Sequence, residues 1–255
     1  MANDCLVTKL KKSVNNSDLM KLGVITMQVS AIDPFNANNN IKLRYKDESG
    51  KAITDGMFMN SQGVPTGTSK DVNANTDTYL ILDVNQCNVD IYNKYAVKEL
   101  SCGARFYLDL KMLSYCNELT YLEANLTGTL EQLASLSSIE TILTHNDSNL
   151  IGNISAIKDL SSITVLKITG ITGVYGNIAD LGKLTSLTRL AIGDTRISGS
   201  VEDFVAAQRL NGRTTCEGIL VPYLGTNTGI TFNGAAAPKA SNQTLSWTAS
   251  EITIA

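Results

Sequence analysis

The chain has 255 residues, of which 43% are hydrophobic, 18% charged and 6% aromatic, with a formal net charge of −3 and a single His. That length and apolar fraction support a packed core, while one His excludes metal sites built on two or three imidazoles and leaves His145 as the only route to His-dependent catalysis. Residues 1–100 are charge-balanced and the deficit lies in 101–255, which excludes the clustered Lys/Arg surface that a nucleic acid demands.

Near the start, Lys9, Lys11 and Lys12 lie among isolated apolar residues rather than before a continuous apolar run. A secretory signal is therefore not expected, nor is membrane insertion, because no apolar stretch is long enough to span a bilayer. The chain is expected to be made and folded in a cytosol. Strict alternation in Ile41-Lys42-Leu43-Arg44-Tyr45-Lys46 predicts a half-buried strand with a basic outer face, and Ile25–Val29, Tyr79–Leu82 and Val89–Tyr92 read the same way. Between them the stretch 48–78 lacks regular pattern, which suggests a long binding arm. Residues 1–100 thus read as a small antiparallel β-domain for attachment.

Five cysteines (Cys5, Cys87, Cys102, Cys116, Cys216) form an odd set with no C-x-x-C pair. They fit neither a zinc site nor a disulfide framework and read as small buried hydrophobes.

Residues 110–204 contain an internal repeat of 23–24 residues. Leu113, Leu136, Leu160 and Leu184 mark it, as do Gly128, Gly152, Gly176 and Gly199. Between these markers run aliphatic columns: Leu119, Ile142, Leu166 and Leu190; Leu126, Leu150, Val174 and Ile197; Leu130, Ile154, Ile178 and Val201; Leu133, Ile157, Leu181 and Phe204. A single unit exposes a row of Leu and Ile that only a neighbouring unit buries, so about four stacked copies form a β-solenoid over 101–204. The Gly in each h-x-G-x-h element, where h is aliphatic, marks a bend that a residue without Cβ tolerates. The four glycines are expected to stack in one line.

This ladder resembles leucine-rich repeat proteins, specifically the subtype with L-x-G-x-I after the first strand, as in Leu150-Ile151-Gly152-Asn153-Ile154 and Val174-Tyr175-Gly176-Asn177-Ile178. The resemblance implies a concave sheet whose outward strand positions bind proteins. Carried over by register, those positions are Glu118, Thr120 and Leu122; Thr141, Leu143 and His145; Val165, Lys167 and Thr169; Arg189, Ala191 and Gly193. The set is poor in the Trp, Tyr and Arg that supply binding hot spots.

Ser200-Val201-Glu202-Asp203 has the form of a helix start, with Ser200 as the cap, and Asn211-Gly212 supplies the stop. A helix there covers the last exposed rung. Gly218–Val221, Gly229–Phe232, Leu245–Trp247 and Ile252–Ile254 read as short strands of a C-terminal cap over 205–255. The expected fold is mainly β throughout.

No catalytic constellation survives a check of spacing. In Gly63-Val64-Pro65-Thr66-Gly67-Thr68-Ser69-Lys70 the Lys does not directly follow the second Gly, so a phosphate loop is excluded. Cys116 occupies a ladder position, read here as equivalent to Ile139, Ile163 and Leu187, and so points inward rather than serving His145 as a nucleophile. Glu202 and Asp203 favour the helix dipole rather than acid/base chemistry. No enzyme activity, cofactor or metal is expected.

The opening Met1-Ala2-Asn3-Asp4-Cys5-Leu6-Val7-Thr8-Lys9-Leu10-Lys11, with Ile230–Gly234 and Leu245–Ala249, resembles repeat-bearing proteins of bacteriophages of the Bacteroidetes, including the crAss-like phages. This resemblance implies a virion component such as a head fibre, decoration protein or tail appendage, assembled in the host cytoplasm. Its partners would be other virion proteins or itself, and a host-surface protein or glycan. The alternative is a bacterial recognition or adhesion protein, in the cytoplasm or at the cell surface, that binds a protein or glycan on the concave face.

Overall fold

The computed structural model describes residues 97–102, 107–146, 148–226 and 229–255, together with the backbone of 25–29, 40–45, 78–81, 88–91 and 106. The expected arm at 48–78 and the phosphate-loop-like segment lie outside the described residues, as do Cys5 and Cys87. The chain divides into two compact units, 1–127 and 128–255.

In the first unit, short segments pair as strands. Strand β1 (Ile25–Val29) runs antiparallel to β4 (Asn88–Ile91) and to β6 (Phe106–Asp109). Strand β2 (Asn40–Tyr45) runs antiparallel to β3 (Thr78–Ile81) and β5 (Val97–Cys102). Strand β7 (Tyr121–Thr129) then runs parallel to β5 through Tyr121–Glu123 and parallel to β6 through Asn125–Thr127. One uninterrupted strand thus serves both ladders.

That continuity corrects the repeat register read from the sequence. The amide of Leu119 donates to Cys116 O, as Ile139 does to Leu136 O, Ile163 to Leu160 O and Leu187 to Leu184 O. Cys116 is therefore equivalent to Leu136, Leu160 and Leu184, not to Ile139, and Leu119 is equivalent to Ile139 rather than Ile142. The physical reason is a missing turn. Later coils place a polar turn between their two strands, as between Ile142 and Leu150, whereas β7 passes straight from Leu122 to Leu126. Counting a full repeat back from Gly128 therefore overshoots.

In the second unit the repeating coil is a strand, a turn, a second strand and a helix. The first strands, β8 (Thr141–Thr144), β10 (Val165–Lys167) and β12 (Arg189–Ala191), are parallel and in register: Thr141, Val165 and Arg189 form one row, and Leu143, Lys167 and Ala191 another. Strand β14 (Cys216–Leu220) continues this sheet, which closes with antiparallel β17 (Thr244–Trp247) and β18 (Ile252–Ile254). The second strands, β9 (Asn149–Asn153), β11 (Val174–Asn177), β13 (Arg196–Ser200) and β15 (Gly229–Phe232), form a second parallel sheet closed by β16 (Ala235–Ala236). The 3-10 helices at Leu130–Ser135, Ile154–Ile157 and Ile178–Lys183 make the third side. Ile142, Leu166 and Leu190, with Ile154, Ile178 and Val201, are fully buried or nearly so. Each such side chain contributes about 1.5–3 kcal/mol.

The repeat glycines have a specific task. Gly128, Gly152, Gly176 and Gly199 all take positive φ, between 108° and 128°. In the coil before, Asn153 and Asn177 cap the next 3-10 helix, their Oδ1 atoms accepting from Ser155 N and Ala179 N at 2.9 Å. A Cβ on Gly176 would lie 2.4 Å from Asn153 Oδ1, and one on Gly199 would lie 2.3 Å from Asn177 Oδ1. The bare glycine of one coil therefore admits the cap of its predecessor. The glycines do not stack pairwise in one line as expected. Val174 stands opposite Gly152, and Ile197 opposite Gly176, so each glycine lies two residues beyond the position opposite its predecessor.

The helix α1 (Val201–Leu210) forms as predicted, with Ser200 Oγ accepting from Asp203 N at 3.0 Å. It packs so closely on the preceding coil that a Cβ on Gly182 would meet Ala207 Cβ at 2.3 Å. Gln208 Nε2 donates to Leu181 O and Leu184 O, which also accept from Leu184 N and Leu187 N, and so ties the helix to the coil beneath it. Buried Phe204 meets Trp247 edge to face at 6.5 Å, and the Trp247 indole N–H donates to Arg213 O.

Three stability measurements follow, all read by urea unfolding through the fluorescence of Trp247, the one Trp of the chain. Gly176→Ala combines strain at φ 122° with eviction of a cap and is expected to cost about 3–4 kcal/mol. Gly170→Ala, at φ 80° with open space around it, should cost only about 1–2 kcal/mol. Phe204→Ala should cost about 3–5 kcal/mol by opening a cavity beneath the cap.

Candidate functional site

The outward residues of the first sheet in unit 128–255 form a graded surface. Thr141, Val165, Leu143 and Lys167 are half-buried on β8 and β10, and Arg189 is exposed on β12. His145 and Thr169 follow these strands and are also half-buried. Hydroxyls tie each coil to its neighbour. Thr164 Oγ1 donates to Glu140 O and Thr188 Oγ1 to Thr164 O, each at 3.1 Å, and the hydroxyl of buried Thr144 donates to Lys167 O at 3.1 Å. The rows are thus held by side-chain as well as backbone hydrogen bonds.

Two expected outward positions are covered instead. Ala191 is only 2% exposed, and Gly193 is buried where a Cβ would meet Thr226 Oγ1 at 2.7 Å and Tyr223 O at 2.8 Å. The turn from Tyr223 to Thr226 folds over this corner of the sheet, and Thr226 Oγ1 accepts from Asp194 N at 2.9 Å. The face therefore ends at Arg189 and Lys167.

In unit 1–127 the register correction moves the site. Leu122 is 0% exposed and belongs to the core, aligned with Leu100 of β5. Glu118 and Thr120 are half-buried but precede the strand. Thr120 Oγ1 donates to Lys98 O at 3.2 Å, the same tie that Thr164 and Thr188 make. The outward residues are Tyr121 and Glu123, paired with Glu99 and Ser101 of β5 around a depression of about 230 Å³.

Here Ser101 Oγ and Tyr121 Oη both donate to Glu123 Oε2, at 2.6 and 3.0 Å. Burial first, then the charge and hydrogen bond of Glu123 and the charge of Glu99, push the Tyr121 phenol up to about 12. Backbone register also sets Arg44 of β2 opposite Glu99 and Lys42 opposite Ser101. The alternation of Tyr121-Leu122-Glu123 was the signal that locates this pair, once Leu122 is taken as core.

The described cysteines, Cys102, Cys116 and Cys216, are buried thiols. Burial, then the Glu123 carboxylate, drives the Cys102 thiol far above its ordinary range, so it stays protonated and packs rather than reacts. Among the described residues no group of three His, Cys, Asp or Glu side chains is placed to hold a metal ion, and no helix is long and apolar enough to cross a membrane.

On the second sheet lies a surface that the concave-face expectation missed. Ile151 and Tyr175 are 53% and 45% exposed, and the Arg196 guanidinium sits over the Tyr175 ring, 5.6 Å from its centroid.

Coils of strand, turn, strand and 3-10 helix around columns of Leu and Ile define a leucine-rich-repeat-like β-solenoid. No protein-family model matches the chain, and no curated protein is similar to it. Among solved structures, the leucine-rich-repeat ectodomain of the receptor kinase SOBIR1 from Arabidopsis thaliana is similar at 15% identity, covering 54% of this chain and 75% of that one with a TM-score of 0.39. The BIR3–SERK2 complex from Arabidopsis thaliana is similar at 17% identity, covering 56% and 73%, with a TM-score of 0.36. The class rests on the coils themselves.

The Tyr121 network sets a pH dependence. Its phenol ionises more easily in the unfolded chain than in the fold, so stability from this group is full below pH 10 and falls as pH rises from 10 to about 12. Tyr121→Phe is expected to flatten that part of the stability profile. Difference absorbance of the ionised phenol should lose a component titrating near 12.

Proposed function

We propose that the chain is a non-enzymatic structural and binding protein of a bacteriophage particle, as a head fibre, capsid decoration or tail appendage. Its N-terminal strands attach it to other virion proteins or to further copies. Its repeat coils present Thr141, Val165 and Arg189 with Leu143 and Lys167 to a protein or host-surface glycan, with His145 and Thr169 at the rim. The observation that supports a binding role is the parallel register of those rows. Residues from three coils keep fixed spacing on a frame with an aliphatic core, so little ordering is left for binding to impose.

The resemblance of the opening and closing segments to proteins of Bacteroidetes phages supports the particle. The platform tolerates chemical variation outward without disturbing the inward ladder, which suits a surface that must match a changing partner.

Quantitative mass spectrometry of gradient-purified phage particles tests this reading. The chain is expected to co-sediment with the capsid proteins at constant stoichiometry through successive gradients. Recovery only from the host-cell fraction would overturn the virion reading and favour a bacterial recognition protein.

A further inference from the structure

We propose that the second sheet of unit 128–255 carries a separate docking surface, built from Ile151, Tyr175 and Arg196, for a protein segment that presents an apolar side chain beside a carboxylate. The inference does not depend on the virion reading.

The three residues come together through the register of that sheet. Tyr175 on β11 stands opposite Asn153 on β9 and opposite Arg196 on β13. Ile151 lies two residues before Asn153 on the same face and is therefore a diagonal neighbour of Tyr175. Gly173, two residues before Tyr175, has no side chain, and a Cβ there would approach Ile151 Cγ2 to 2.8 Å. The Ile151 side chain thus lies over bare backbone of the segment that carries Tyr175. Large exposed apolar groups side by side are the informative departure from an ordinary surface, and here they occupy adjacent coils.

Charge selects the occupant. Among the described residues Lys111 pairs with Asp109 and Lys183 with Asp159, whereas Arg196 forms no ion pair. Its guanidinium instead lies over the Tyr175 ring, which restricts the side chain before any partner arrives. A planar fork held in this way is complementary to a carboxylate, which it can engage through two parallel N–H···O bonds, and it repels an ammonium. Tyr and Arg are also the residue types that dominate binding energy at interfaces. The first sheet's outward rows contain no aromatic residue.

The test uses the isotope-labelled full chain and the probe peptide acetyl-Gly-Leu-Glu-Phe-Gly-amide, with versions in which Gln or Lys replaces the Glu. Chemical-shift changes are expected at Ile151, Tyr175 and the Arg196 side chain at millimolar peptide. Binding should be at least threefold weaker for the Gln peptide and undetectable for the Lys peptide. In Arg196→Glu the order should reverse, with the Lys peptide now preferred. Arg196→Gln, which keeps a polar side chain on the strand, should bind the Glu and Gln peptides alike.

Equal response to all three peptides, no response, or shifts confined to β8, β10 and β12 would overturn the proposal. So would sedimentation showing that the wild-type chain dimerises and Arg196→Glu does not, because a second copy would then be the occupant.

Discussion

The distance between successive coils is set where a glycine of one coil faces the N-cap of the coil before it. Asn153 Oδ1 must reach Ser155 N to start its 3-10 helix, and it does so through the space that a side chain at Gly176 would fill. Asn177 and Gly199 repeat the relation. Everything else on the coil inherits this spacing. The aliphatic columns touch because the backbones approach this closely, and the Thr164 and Thr188 hydroxyls span to the previous coil's carbonyls at 3.1 Å for the same reason. A cap and a missing Cβ, on different coils, act as one device.

The parts legible in sequence are those that the core dictates. Aliphatic residues recur because each coil must bury the same face, so Ile142, Leu166 and Leu190 could be aligned by pattern alone, as could the cap at Ser200. The first coil was misread because its two strands merge into β7, and nothing in the spacing of leucines signals that a turn has been omitted. That single omission placed Leu122 outward and hid Tyr121 and Glu123. The second sheet was opaque for a different reason. Its strands are short and its turns vary, so the neighbours of Ile151 and Tyr175 follow from hydrogen-bond register, which a list of positions does not contain.

The two sheets of unit 128–255 therefore offer unlike chemistry from one core. The first is mixed and hydroxyl-braced, and the turn from Tyr223 to Thr226 limits it on one side. The second exposes an aliphatic and an aromatic side chain with a held cation. Their independence is physical, since outward residues of either sheet change without altering the buried rungs between them.

Helix α1 replaces the 3-10 helix of earlier coils and leans on Gly182, with Gln208 hydrogen-bonded to two carbonyls beneath it. Each internal junction, by contrast, is a relation between nearest neighbours only. A chain built in this way can lengthen by duplicating a whole coil between Asn153 and Gly176 while its terminating helix stays untouched, because the new glycine receives the old cap and the new asparagine caps toward the old glycine. The number of coils is thus open to heredity in whole units, and a fraction of a coil is not.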